Sequence, residues 1–237
     1  MSLKKFFFRW KPTYKTYLYY NLYLRHRGFL KKKRYSQWGE DLEIQDFFKD
    51  TKVGKFIDVG CFHPFLFNNT FLLYRKGWQG INIDLNQVSI DLFNIARSRD
   101  INICSAISEK GKTVKVYYDG EFSSVNTLDI DFYKKSKEVY FKDLKTYEIE
   151  ARSIQDILKD NPAFSEIDFI NIDVEGLDYE VLKQIDLKKF KTKLVAIETH
   201  YVDGLEIKEY QKILTHLNNL GFSILKKVGP TTIFKSN

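Results

Sequence analysis

The chain has 237 residues, 43% of them apolar, and a net charge of +7. That size and composition suit one α/β domain with an extension, large enough to bury a substantial core. No run of about 18 apolar residues occurs, so no membrane-spanning helix is expected. The charge is uneven: residues 1–34 hold eleven Lys/Arg and no Asp/Glu, which leaves the rest of the chain at −4. A mildly acidic body argues against nucleic acid as its partner. Cys61 and Cys104 have no metal or redox spacing and read as free thiols of a reducing, cytoplasmic compartment.

The first 34 residues form a leader in which basic residues alternate with aromatic ones: Phe6, Phe7, Phe8, Trp10, Tyr14, Tyr17, Tyr19, Tyr20, Tyr23 and Phe29. That mixture suits the anionic face of a membrane, where rings sit among headgroups and lysines meet phosphates. Its apolar part is broken by Arg9, Lys11 and Lys15, unlike a secretory signal. The alternatives are a helical extension packed on the domain or on a partner such as a glycosyltransferase, and, more weakly, contact with RNA. Lys31–Arg34 reads as a solvated hinge to a domain spanning residues 35–237.

Tyr35–Asp41 leads into an amphipathic helix with Leu42, Ile44, Phe47 and Phe48 inward and Ser36 as its N-cap. Gln37, Glu40 or Asp41 could reach over a ligand pocket from there. Lys55–Leu85 then reads as a β-α-β unit. Its first strand ends in Asp58-Val59-Gly60, a helix follows over about residues 67–76, Gly77 and Gly80 mark the turn, and the second strand ends at Asp84. A glycine in the first crossover and an acid at the second strand tip form a nucleoside-binding layout, the acid hydrogen-bonding ribose. Gly-x-Gly-x-x-Gly is absent, and Pro64 supplies no N–H to a pyrophosphate. The layout therefore favours a nucleoside without phosphates, of which S-adenosylmethionine (SAM) is the common one.

Asn86 is positioned to cap the next helix. Residues 102–107 form the third strand and its exit, where the small Ser105 and Ala106 could border adenine. Val114–Tyr118 alternates as a strand paired with residues 147–151. Residues 120–145 between them have weak apolar periodicity and read as a lid or substrate surface. Ser153–Lys159 is a short helix. A buried strand then delivers Asp173 and Glu175 at its carboxyl end, followed by Gly176 and a helix over 179–184. Leu194–Ile197 is another buried strand, ending in Glu198-Thr199-His200. A helix over 206–220 and a closing antiparallel hairpin, 222–226 with 231–234, complete the chain. The expected fold is a Rossmann-like, mostly parallel seven-stranded sheet with a C-terminal hairpin. Ligands of such sheets bind at the carboxyl ends of the strands.

Tyr35-Ser36-Gln37-x-Gly39-Glu40-Asp41, Phe56-Ile57-Asp58-Val59-Gly60-x-x-His63-Pro64, Asn69-Thr70, Gly77-Trp78-x-Gly80-Ile81-x-Ile83-Asp84, Ile172-Asp173-Val174-Glu175-Gly176 and Ile197-Glu198 together resemble the FkbM-type methyltransferase family. The resemblance spans residue 35 to the C-terminus and leaves the leader outside. It implies SAM as methyl donor and O-methylation of hydroxyls on sugars or polyketide-type products. It also implies that Asp58 and Gly60 lie at the methionine end of SAM and Asp84 at its ribose. The His63-Pro64 turn stands where many members have a smaller, glycine-bearing one, and His63 joins the cofactor-binding candidates.

Methyl transfer to a hydroxyl needs an aligned acceptor oxygen and a proton acceptor. His200 is the first candidate base, because a neutral imidazole is available near pH 7. Asp173 is the second, with the alternative of orienting the acceptor or holding the SAM amino group. Asp173, Glu175, Glu198 and His200 could instead hold Mg²⁺ and acidify a vicinal diol. A nucleotide-sugar enzyme is disfavoured by the missing glycine motif and the lack of a suitably placed Tyr-x-x-x-Lys. A non-catalytic scaffold docking glycan-biosynthesis machinery is disfavoured by the intact Asp58, Asp84, Asp173 and Glu175. The expected activity is O-methylation of a sugar in a glycan or glycolipid precursor, at the inner face of the membrane.

Overall fold

The structure, a computed structural model, describes residues 11–28, 32–108, 113–118, 127–128, 145–174 and 176–237. Phe6, Phe7, Phe8, Trp10, Phe29, Glu175 and nearly all of the expected lid lie outside the described residues.

Seven strands form one sheet in the order β3-β2-β1-β7-β8-β10-β9. These are β1 (Lys55–Val59), β2 (Gln79–Asp84), β3 (Ile101–Cys104), β7 (Phe169–Ile172), β8 (Leu194–Glu198), β9 (Phe222–Val228) and β10 (Thr231–Ser236). The first five are parallel to one another, and β10 runs antiparallel to both β8 and β9. Strand order reverses direction at β1, so a crevice opens beside its carboxyl end. A smaller sheet is built from β4 (Ala106–Ile107), β5 (Thr113–Tyr118) and β6 (Lys145–Arg152). It includes the expected pairing of Val114 with Ile149 and Val116 with Tyr147.

Both faces of the main sheet are covered, which is why its strands read as nearly continuous apolar runs. One face carries Ile57, Val59, Ile170, Ile172, Val195 and Ile197 against three helices: α5 (Ile154–Asp160), α6 (Asp178–Leu182) and α7 (Tyr210–Asn219). The other carries Phe56, Phe169, Leu194 and Ala196 against Ile44 and Phe48 of α2 (Glu40–Phe47, with its C-cap) and Leu73 of α3 (Phe71–Arg75). Among the described residues no helix is long and apolar enough to cross a membrane.

The leader contributes α1 (Lys11–Tyr19), which continues as π-helical turns through Arg25. Its Leu18 and Leu22 are buried against Tyr35, Phe65 and Leu72, and against Val88 and Leu92 of α4 (Gln87–Ala96). The Tyr14 hydroxyl donates to Asp91 Oδ2 at 2.6 Å. Residues 11–25 are thus packed on the domain.

Several local expectations are corrected. The helix expected from residue 67 begins only at Phe71. Phe67 sits at φ +50°, and Asn68 Oδ1 accepts the Thr70 N–H, so these residues form a loop. Gly80 lies inside β2 rather than in a turn, because a Cβ there would come 1.9 Å from the Phe56 ring. Leu42 is exposed. The α2 N-cap is Gly39 at φ +109°, while Ser36 Oγ accepts the N–H groups of Gly39 and Asp41. Asn86 does cap its helix, accepting from Val88 N–H, and Ser153, expected as a helix residue, is instead the N-cap of α5, accepting from Asp156 N–H. The helix expected from 206 starts at Tyr210, because Glu206 forms an antiparallel backbone pair with His200.

Candidate active site

The carboxyl ends of β2, β1 and β7 are joined by backbone hydrogen bonds. Gly60 and Cys61 N–H both donate to Ile83 O, at 2.9 and 3.2 Å, and Asp173 N–H donates to Val59 O at 2.9 Å. Phe62, at φ +51°, turns its N–H onto Asp84 Oδ2 at 2.8 Å. Asn86 N–H donates to Asp84 Oδ1 at 2.7 Å. Both Asp84 oxygens therefore accept backbone donors, and the carboxylate still lines the cleft. Gly60 has φ +82°, and a Cβ there would lie 1.7 Å from Asp173 O, so only glycine fits this contact.

Above these tips lies a cleft of about 600 Å³ of empty space, part of it open to solvent. Val59, Gly60, Asp84, Ser105 and Asp173 line it, and its apolar walls are Phe62, Leu85, Ile107, Leu128, Leu177 and Val181. Tyr147 of β6 closes one side by donating its hydroxyl to Leu85 O at 2.6 Å.

The pocket is anionic. Burial pushes Asp84 up to about 6, against the stabilising N–H groups of Asn86 and Phe62. Asp173 is exposed at the mouth of the cleft. Desolvation by the cleft walls, and then repulsion from Asp178, Asp58, Glu40 and Asp84, raises it to about 7. Asp178, buried in the first turn of α6, is pushed to about 6 by burial. It accepts Val174 and Gly176 N–H at 3.2 Å each and so shapes the turn after Asp173.

Of the residues singled out from sequence, Gly60, Asp84, Ser105 and Asp173 come together here, and the others do not. Asp58 is buried below the floor. Its Oδ2 accepts from Thr70 Oγ1 at 2.8 Å and its Oδ1 from Asn171 Nδ2 at 2.8 Å, so it ties β1 to the following loop and to β7. Burial raises its pKa, opposed first by Arg97. His63 is also buried, and Nδ1 accepts from Phe65 and Leu66 N–H. Burial lowers it to about 3, which keeps it neutral as a loop anchor. Ala106 is buried in its pairing with Ala151, and Ile107 lines the pocket in its place. Asp41 accepts from Tyr35 N–H and Ser36 Oγ, and Glu40 from Trp38 N–H, so both organise the turn before α2.

His200 lies at the end of β8, away from the lining residues. Its Nδ1 contacts Thr199 Oγ1 at 2.7 Å, and its Nε2 is 3.2 Å from Lys227 Nζ. Burial and the Lys227 charge lower its pKa. The imidazole is neutral, as expected, but both nitrogens are engaged. Glu198 also stays outside the pocket lining, and Glu175 lies outside the described residues. Among the described residues no three His, Cys, Asp or Glu side chains come together to hold a metal, so the Mg²⁺ expectation has no support here.

Sequence reading missed the apolar walls and Asp178. Leu85, directly after the strand-tip acid, was the available signal. The others come from loops, from β4 and from α6, and only folding brings them to one cleft.

Three solved structures are similar to the chain in outline. The TehB-like SAM-dependent methyltransferase from Corynebacterium glutamicum is 10% identical, over 92% of this chain and 97% of that one, with a TM-score of 0.44. The methyltransferase domain of bacterial CtHen1-C is 14% identical, over 83% and 96%, at 0.42. The METTL16 methyltransferase domain is 10% identical, over 84% and 66%, at 0.41. Among curated proteins, none matches the chain. The sequence model of the Methyltransferase FkbM domain matches residues 58–224, from the tip of β1 into β9. That stretch is most of the chain and holds every residue lining the cleft, so the protein belongs to the FkbM family of SAM-dependent methyltransferases.

Proposed function

We propose that the protein methylates a hydroxyl oxygen of a sugar in a glycan or glycolipid precursor, with Asp173 as proton acceptor. The observation that carries this reading is the Asp173 carboxyl, held near a pKa of 7 in the mouth of the cleft. A base poised near the working pH combines a populated basic form with useful proton affinity.

The cleft fits SAM. Asp84 presents its carboxylate to the cleft for a ribose diol, and Leu85 and Ile107 offer apolar walls to a flat base. A cluster of desolvated carboxylates favours a cationic ligand. Bound SAM supplies an electrophilic methyl carbon on a sulfonium.

The chain's own part is to hold the acceptor oxygen in line with that carbon and to receive the hydroxyl proton on an Asp173 oxygen. A bound sulfonium donor would supply the methyl group for the new O–CH₃ bond and take back the S–CH₃ bonding pair on sulfur. Asp173 afterwards releases its proton to solvent through the mouth. His200 is less suited to this step, because Lys227 competes for its Nε2 lone pair. The sugar acceptor rests on the likeness to the family's sequence pattern and on the acid-lined mouth, which offers hydrogen-bond acceptors to neighbouring hydroxyls.

The experiment is calorimetric titration of SAM and S-adenosylhomocysteine into the full chain and into Asp84→Ala. Turnover assays with sugar-lipid intermediates follow. Micromolar binding lost in the variant, followed by methyl transfer to a sugar hydroxyl, is expected. SAM binding with transfer only to nitrogen or carbon acceptors would remove the O-methylation reading.

A further inference from the structure

The leader helix has two faces that do different work. Leu18 and Leu22 face the domain and are buried at 5% and 0% exposure. On the opposite side Tyr19, Tyr20, Tyr23 and Leu24 are 45%, 49%, 41% and 62% exposed. Their spacing of one, four and five residues places them in one stripe along the helix. Lys15, four residues before Tyr19, extends the same stripe, and Arg27 lies in the turn just after the helix; both are exposed. Tyr19 and Tyr23 rings lie 5.9 Å apart, so the rings form a surface rather than isolated points. Arg25, Lys32, Lys33 and Arg34 are also exposed. No acid occurs in the first 34 residues, while eleven basic residues do.

The docked inner face excludes the simplest account of the aromatic residues, that they are there to pack on the domain. A tyrosine stripe flanked by cations and free of carboxylates matches the headgroup layer of an anionic bilayer. Amphipathic rings settle at that depth, and Lys/Arg gain from the negative surface potential. The carboxyl end of this segment lies beside the cofactor cleft, since His26 and His63 rings stand 5.5 Å apart and Phe62, next to His63, lines the cleft.

We propose that residues 15–27 form a docking face for an anionic phospholipid surface, with the tyrosine stripe at headgroup depth and the basic residues on the lipid phosphates. The contact is peripheral, and it orients the domain so that the cleft mouth lies near lipid-linked acceptors. This proposal stands independently of the choice of Asp173 as base.

The test is co-sedimentation of the full chain with phosphatidylcholine vesicles and with vesicles containing phosphatidylglycerol, at low and moderate salt. Binding to the anionic vesicles alone, weakened by salt, is expected. A variant carrying Tyr19→Ser, Tyr20→Ser, Tyr23→Ser and Leu24→Ser should bind at least about tenfold more weakly, as should Lys15→Gln with Arg25→Gln and Arg27→Gln. Both variants should keep the wild-type melting temperature and SAM affinity, because neither touches Leu18, Leu22 or the cleft. No vesicle binding, or binding unchanged in both folded variants, would overturn the proposal. So would a concentration-dependent dimer lost in the tyrosine variant, or binding to single-stranded RNA tighter than to the anionic vesicles.

Discussion

A Cβ placed on Gly60 would lie 1.7 Å from the carbonyl oxygen of Asp173. The two residues are at the tips of neighbouring parallel strands, β1 and β7, so the crossover glycine sets how closely the two sides of the cleft approach. Gly60→Ala must both adopt φ +82° and push the Asp173 backbone away. It should lower stability by about 2 kcal/mol or more and abolish SAM binding. Chemical denaturation paired with calorimetry checks this. An alanine variant that binds SAM like the wild type would show that the approach is not required.

Asp84→Asn tests the carboxylate at the tip of β2. Both oxygens now accept backbone N–H groups, from Phe62 and Asn86. An amide must turn its NH₂ toward one of those donors, leaving a buried N–H unpaired at a cost of roughly 1–3 kcal/mol. SAM affinity should fall at least about tenfold, an amount equal to about 1.4 kcal/mol. Asp58→Asn should leave SAM affinity closer to wild type and act mainly on stability, since Asp58 serves Thr70 and Asn171.

Asp173 makes two pH predictions with opposite signs. Turnover needs its basic form, so kcat/KM should rise with pH and level off above about 7. Stability moves the other way. The folded chain holds the Asp173 proton up to about pH 7, whereas the unfolded chain releases it near pH 4. Between those values the folded state binds more protons, and the ligand-free protein loses stability as pH rises. Asp173→Asn should shallow that slope, leaving the part contributed by the raised Asp84 and Asp178, and abolish methyl transfer. Thermal melts at pH 5 and 8, with and without the substitution, are the measurement. An equal wild-type and variant slope would contradict the raised carboxyl.

His200→Ala separates the two bases. Its ring is engaged by Thr199 and Lys227, and general-base catalysis contributes about 10²–10⁴-fold. The alanine variant should lose much less turnover than Asp173→Asn and keep its SAM affinity. A loss in kcat as large as that of Asp173→Asn, with unchanged stability, would return His200 to the chemistry.

Arg97 anchors the floor from below. It is fully buried, with Nε 2.9 Å from Asp100 Oδ2 and Nη1 2.9 Å from Thr70 Oγ1, the hydroxyl that binds Asp58. Its guanidinium lies about 5 Å from the Phe56, Tyr74 and Phe93 ring centres. Arg97→Met leaves Asp100 buried and unpaired, a change worth about 3–5 kcal/mol. A fall in melting temperature of roughly 10 °C follows for a chain this size. Replacing both partners, Arg97→Met with Asp100→Asn, should recover part of the loss.

The strands and their order of appearance were legible because each is a short apolar run closed by a polar tip. β7 reads Phe169-Ile170-Asn171-Ile172, buried throughout. The cap Asn86 was legible because a capping side chain acts on a residue two positions away. Helix starts failed where distant contacts intervened. Phe67 and Asn68 read as helix, but Asn68 is drawn toward Asp58 and Arg97, ten and 29 positions away. Gly80 read as a turn residue because the Phe56 ring that excludes its side chain belongs to another strand.

The sequence by itself determined that a parallel sheet presents acids at the tips of β1, β2 and β7, and that an acid-free basic leader precedes it. Those properties are local: they follow from apolar runs, turn residues and charge along the chain. Which acids face the cleft was decided only in the tertiary structure. Asp58 is satisfied by Asn171, 113 positions away, whereas Asp84 and Asp173 remain on the cleft. The same holds for the leader, whose Leu18 and Leu22 are claimed by Phe65 and Leu92 while Tyr19, Tyr20 and Tyr23 stay outside. Side-chain direction along a strand or helix alternates by geometry, but the neighbour that meets each side chain is set by packing between elements far apart in the chain.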